Sequence, residues 1–192
     1  MHCWELRYMI YPIVKYGDSV LREEALPVEV VNDEIRQFAS NMLETMYAAN
    51  GVGLAAQQVG RALAVCVVHV PPELDQDEED GEPYNPEIPM PLVMINPRIA
   101  ASDSTQVGEE GCLSFPEITL DVQRSFSVTV GYIDLDGEAQ ALECSAFLAR
   151  AVQHEIDHLN GVLFIDRVSA LKKLSIRGQL KRLKKKTDAA ME

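Results

Sequence analysis

The chain contains no apolar run approaching the roughly 20 residues that a membrane-spanning helix needs. Its first residues, Met1-His2-Cys3-Trp4-Glu5, have neither the basic start nor the apolar stretch of a signal peptide. Four cysteines in 192 residues, Cys3, Cys66, Cys112 and Cys144, are too few for a disulfide scaffold, and a chain this long buries a core without one. The expectation is one domain in a reducing cytoplasm, with no membrane partner. Cations are also scarce: 17 Lys/Arg stand against 30 Asp/Glu, a net charge of −13. The deficit is uneven. Residues 1–166 hold 8 cations and 28 acids, net −20, whereas 167–192 hold nine and two, net +7. The body should repel nucleic acid at long range while the tail is drawn to it. An apolar content of 47% excludes a largely disordered chain.

Asn32 or Asp33 can cap a helix to about Ala49, because Ile35, Phe38, Met42, Leu43 and Met46 recur at helical spacing. The β-branched run from Leu63 to Val70 reads as a buried strand, and Leu92–Ile95 resumes strand character. Between them, residues 71–91 are rich in proline and carry eight acids, the composition of a solvated surface loop. Ser127–Asp134 and Glu138–Cys144 flank Asp136-Gly137 and read as a hairpin. Ser145 is placed to cap a helix through Leu159, closed by Asn160-Gly161. Ser169 opens a last helix with Leu171, Leu174, Leu180 and Leu183 as its docking face and eight basic residues elsewhere, interrupted at Gly178. Strands gathered before a late helix, without regular βαβ alternation, argue an α+β fold.

The sharpest chemical signal is Gln153-His154-Glu155-Ile156-Asp157-His158, which contains two of the chain's four histidines. Positions i and i+4 share a helix face, so both imidazoles can converge on one ion, with Glu155 about 100° round the helix and able to reach bound water. A catalytic metal site needs a third protein ligand. A histidine six residues beyond His158 is excluded, since position 164 is Phe, and the only later glutamate is Glu192. Upstream, Cys112 in Glu110-Gly111-Cys112-Leu113-Ser114 is the best candidate, because a thiolate is a strong ligand and the glycine admits close backbone approach. Cys66 and Cys144 lie in apolar strand surroundings and read as small buried hydrophobes. Gly51-Val52-Gly53-Leu54-Ala55-Ala56-Gln57-Gln58 has no Lys or Ser/Thr to make it a phosphate loop; its small residues suggest a backbone held close to something, with Gln58 a hydrogen-bond donor.

These three segments resemble, in order and approximate spacing, the three signature motifs of the peptide deformylases, and Pro12–Asp18 is similar to that family's opening segment. The resemblance runs from about Met9 to the last helix. It implies antiparallel β-sheets packed around a central helix bearing His154 and His158, with a C-terminal helix of the long bacterial type. It further implies a 1–8 extension with Met9 as a possible start, a catalytic domain over 9–168 with 71–91 inserted, and a basic helix and tail over 169–192. The implied activity is hydrolytic removal of the formyl group from the N-terminal formyl-methionine of nascent polypeptides, releasing formate. Cys112, His154 and His158 would hold a divalent metal, iron(II) in the cell, with zinc or nickel as substitutes. Metal-bound hydroxide would attack the formyl carbon, with Glu155 as general base and then acid. The Gln58 amide and the Leu113 N–H would stabilise the oxyanion. Gly53 and Glu110 would line the substrate cleft, and Val52 and Phe147 the methionine pocket. The basic tail would touch the ribosome. A zinc metalloprotease and an RNA-binding module with a structural metal are the rival readings; formate release separates them.

Overall fold

The computed structural model describes residues 8–77 and 81–191, so the expected extension falls almost wholly outside the described residues. Helix α1 (Asp33–Ala48) starts where the Asn32 side chain accepts a hydrogen bond from the Ile35 N–H at 3.0 Å. Strands β1 (Gly53–Ala55), β2 (Val65–Val68), β3 (Leu92–Asp103), β6 (Ser127–Ile133) and β7 (Ala139–Ser145) form one antiparallel sheet in the order β1-β2-β3-β6-β7. Between β3 and β6 in sequence, β4 (Gln106–Cys112) and β5 (Phe115–Arg124) make a separate antiparallel pair. This α+β arrangement is the expected one, and so is the β6–β7 hairpin, in which Ser127 pairs with Ser145.

Helix α2 (Ala146–Leu159) is the centre of the molecule: every residue of it except Phe147 is buried. Its apolar side chains Leu148, Val152 and Ile156 join Cys66, Met94, Val130 and Cys144 in one core cluster. Such a helix must find partners for each polar side chain it carries, because an unpaired polar group is costly in an apolar interior. Its N-terminus is not capped as expected. The Ser145 hydroxyl makes no capping bond, and the Asn85 side chain instead brackets the Ser145 backbone, accepting from its N–H at 2.9 Å and donating to its carbonyl at 3.2 Å.

That contact revises the reading of the acidic segment. Asn85 also holds Asp75, donating its backbone N–H to one carboxylate oxygen at 2.9 Å and its side-chain amide to the other. Ile88 and Met90 pack against the α2 core. The described part of 71–91 is therefore a docked loop rather than a wholly solvated one. The C-terminal reading changes too. The chain forms two helices, α3 (Ala170–Ser175) and α4 (Arg177–Met191), and the break lies at Ile176 rather than Gly178. At about 100° per residue, positions 176, 180, 183 and 187 share a face of α4 and its entry turn, while Leu171 and Leu174 lie on α3, before the break. Ile176 and Leu180 are accordingly buried against Leu21, Phe115 and Phe164, with Leu183 beside them, whereas Leu171 and Leu174 are exposed.

Candidate active site

Three elements meet beside α2. The β4 strand alternates faces, so Glu110 and Cys112 point the same way, and the pairing with β5 slips between them, which turns Cys112 toward the helix. The 3₁₀ turn Ala56–Val59 carries Gln58, and β1 brings Gly53. Cys112 Sγ lies 3.3 Å from His158 Nε2, and one donor atom each from Cys112, His154 and His158 lie within 4.8 Å of one another. Among the described residues this is the cluster able to hold a metal ion. A thiolate and two imidazoles suit a divalent transition metal, and the sequence-predicted trio is thus brought together.

Glu155 stands next to this trio. It is 4% exposed, and its Oε2 is buried with no hydrogen-bond partner among the described residues, as is His158 Nδ1. For the protein groups alone, burial lifts the Glu155 carboxyl to about 7, with His154 holding it down and Glu110 pushing it further up. Burial also pushes His158 well below the usual imidazole range, leaving its ring neutral and its lone pair free to bind a cation. The Gln58 amide is fixed in orientation: its Oε1 accepts from the Ala55 N–H at 2.8 Å, so Nε2 faces Cys112 Sγ, 3.4 Å away.

Glu110, expected only as a wall of the cleft, is 5% exposed and grips the imidazole of His154, with 3.1 Å between Oε2 and Nδ1. Nε and Nη2 of Arg124 donate to the same carboxylate at 2.8 and 2.9 Å, and Nη1 of Arg150 at 2.9 Å. Burial disfavours the Glu110 charge, but the hydrogen bonds from Arg124 and His154 outweigh it and hold the carboxyl at about 2. Burial works against a charged His154 as well, but its hydrogen bonds with Cys112 and Glu110 outweigh that and raise it above the usual imidazole range. Arg124 donates its other arm to Asp157, which also receives Arg167 Nε at 2.9 Å. Tying Nδ1 of His154 to a carboxylate fixes the ring and leaves Nε2 as the atom that can ligate a cation. The sequence reading missed Arg124, Arg150, Asp157 and Arg167. Arg150 and Asp157 had a local signal, the one four residues before His154 on one helix face and the other inside the 153–158 pattern.

A cavity of about 560 Å³ opens onto this cluster, with Val52, Gly53, Glu110, Phe147, Ala151 and Glu155 among its walls. Its size and largely apolar lining with a few convergent polar groups are those of a small-molecule or peptide site. Lys15, from the opening segment, also lines it and donates from Nζ to the Leu113 carbonyl at 2.7 Å. Among the described residues no helix is long and apolar enough to cross a membrane.

The family model described as polypeptide deformylase matches residues 10–174. A peptide deformylase of Endomicrobium trichonymphae is 46% identical over 176 residues, covering 92% of this chain and 96% of that protein. The crystal structure of the Thermotoga maritima peptide deformylase superposes with a TM-score of 0.73 at 42% identity, covering 84% of this chain and 99% of that one. That of the Thermus thermophilus enzyme gives 0.79 at 37% identity, over 93% and 99%. A cluster of cysteine and two histidines beside an unpartnered glutamate is thus set in a fold and a sequence shared along nearly the whole length: the chain belongs to the polypeptide deformylase family.

Proposed function

We propose that Cys112, His154 and His158 hold the divalent cation with which this hydrolase removes the formyl group of N-terminal formyl-methionine, and that Glu155 moves the protons. The observation that carries the assignment is the convergence of the three donor atoms within 4.8 Å of one another beside the unpartnered Glu155 Oε2. Iron(II) is the cation we assign in the cell, with zinc or nickel compatible with the same donors. Once bound, the cation supplies Lewis acidity, which polarises the formyl oxygen and acidifies a water it binds.

The rest of the chemistry belongs to side chains and backbone. Glu155 takes a proton from the attacking water at its carboxylate and returns it to the leaving amine. As the formyl carbon becomes tetrahedral its oxygen gains charge, which the Gln58 Nε2–H and the Leu113 N–H stabilise. Gln58 needs no reorientation for this, because the Ala55 N–H already fixes its amide. Val52 and Phe147, in the cavity wall, shape the pocket for the methionine side chain, and Gly53 and Glu110 line the cleft beside it. Glu110 serves also as the hydrogen-bond partner of His154. The substrate is the formylated N-terminus of a nascent polypeptide, which places the enzyme in the cytoplasm. The exposed basic side chains of α4 contact ribosomal RNA near where that N-terminus emerges.

Formate release from a short formyl-methionyl peptide, measured with metal analysis on anaerobically purified protein, tests the reading. Glu155→Ala should retain its metal and lose about 10²–10⁴-fold in turnover, the usual contribution of a general acid–base. A loss under tenfold overturns the role of Glu155, and loss of metal makes it a ligand instead. Equal metal content and activity in Cys112→Ser would move the third ligand elsewhere.

A further inference from the structure

The opening segment does more than lead into the fold. Residues 13–16 run extended between two of the loops that build the site, and their side chains alternate. Ile13 and Lys15 line the cavity, while Val14 and Tyr16 pack against the cluster of Phe115 and Phe164. Its backbone bonds go to both loops. The Val14 N–H donates to the Gln58 carbonyl at 2.8 Å, and the Tyr16 N–H to the Ser114 carbonyl at 2.9 Å. Between them the Lys15 ammonium donates to the Leu113 carbonyl at 2.7 Å. The strap is itself held from outside, since the Thr187 hydroxyl donates to the Tyr16 carbonyl at 2.9 Å.

We infer that Lys15 is a positioning residue for the oxyanion donors: by holding the Leu113 carbonyl it fixes the Leu113–Ser114 peptide and so restrains the torsions at Leu113 that aim its N–H, and through the strap it locks the spacing between this turn and Gln58. The inference rests on the reading of Gln58 and Leu113 given above. Leu113 lies in the two-residue turn between β4 and β5, where no strand partner constrains it. An anchored carbonyl is the simplest way to hold such a turn, and with it the neighbouring Leu113 N–H, oriented before the reaction rather than during it, and preorganisation is what makes an oxyanion donor effective. Lys15 itself touches neither the metal cluster nor the Glu155 carboxylate through any hydrogen bond among the described residues.

The test is Lys15→Met, which keeps the apolar stem and removes the donor. In the metal-loaded enzyme we expect kcat for a short formyl-methionyl peptide to fall about tenfold or more, with KM within about twofold, because outright loss of one oxyanion donor costs about 10²–10³. Metal content should be unchanged. Hydrogen–deuterium exchange should quicken in the peptide spanning 112–115 but not in β1. Lys15→Arg, which retains an N–H donor, should recover most of kcat; Lys15→Gln, too short to reach, should not. The Arg/Gln contrast carries the same information if Lys15→Met does not fold. Unchanged kcat in Lys15→Met, or equal kcat in Lys15→Gln and Lys15→Arg, overturns the inference. If Glu155→Ala and Gln58→Leu are inactive at the same time, the active-site reading stands without it. If those two retain full turnover as well, both readings fall.

Discussion

Gly53 and Glu155 are fitted to each other: a Cβ at position 53 would collide with Oε1 of the glutamate, and Glu155 Cγ would stand 3.0 Å from it. The glycine is required for close approach, since a strand position with its backbone against a buried carboxylate has no room for a methyl group. Gly53→Ala should therefore displace the carboxylate without removing it. A misplacement of about 1 Å in a catalytic group costs on the order of 10²-fold, so kcat should fall by about that factor. The metal content should stay at the wild-type level. Formate release within threefold of wild type would show that Glu155 can give way harmlessly.

Glu110 is the hub of the buried charges, with Arg124, Arg150 and His154 all bonded to its carboxylate. Glu110→Gln keeps the shape but leaves two buried guanidiniums short of a counter-charge. Breaking a buried ion pair from one side costs about 3–5 kcal/mol, so the denaturant midpoint should drop clearly. Metal affinity should fall about 10–100-fold as His154 loses its orienting partner. Chelator competition reads the second effect separately. An unaltered metal affinity would detach Glu110 from the cation site.

The parts of this site that the sequence made legible are those with a local period or a distinctive chemistry. The pattern 153–158 falls on a helix with a recognisable end at Asn160-Gly161, and Cys112 stood out as a thiol beside a glycine. The β4–β5 pair was not read as strands, because Gly108, Glu109, Glu110 and Gly111 have poor strand propensity and only tertiary pairing makes them extended. Lys15 contacts Leu113 across 98 residues, a relationship no local pattern encodes. The error at the C-terminus was one of continuity. Four leucines were placed on one face of one helix, whereas the break at Ile176 sets Leu171 and Leu174 on α3 apart from Leu180 and Leu183 on α4, and burial of Ile176 chose the second pair.

Asp166 gives the stability a defined dependence on acid. Burial alone would raise its pKa, but hydrogen bonds from Arg22, Lys173 and the Leu163 N–H outweigh that and hold it at about 2, against an ordinary 3.8. The folded pKa lies below the unfolded one, so the contribution is complete above about pH 4 and disappears as pH falls towards 2. Asp166→Asn should be less stable than wild type at neutral pH, and the gap should close through that window. Urea titrations of both proteins across it measure the difference. A gap that stays constant with pH would assign the effect of the substitution to packing rather than charge.

The basic tail separates into residues that hold the fold and residues free to bind elsewhere. Lys172 and Lys173 already reach Asp121 and Asp166, at 3.4 and 2.9 Å. Lys184 packs its stem 3.3 Å from where a Cβ on Gly17 would stand. Lys181, Arg182, Lys185 and Lys186 are exposed and have no ion pair among the described residues. Truncating α4 would be a poor test of ribosome contact, because it also removes the buried Leu180 and the Thr187 bond to the strap. Neutralising those four exposed cations to glutamine leaves both in place. If they contact phosphates, log K for ribosome binding falls with log salt by roughly 0.7–0.9 per contact, and the variant should lose most of that slope. Co-sedimentation at low salt should weaken, while turnover of a short formyl-methionyl peptide stays within about twofold, because tethering changes local concentration and not the site. Undiminished co-sedimentation with an unchanged salt slope would leave α4 with its packing role alone, and the high positive charge of the tail would then serve only to offset an acidic body.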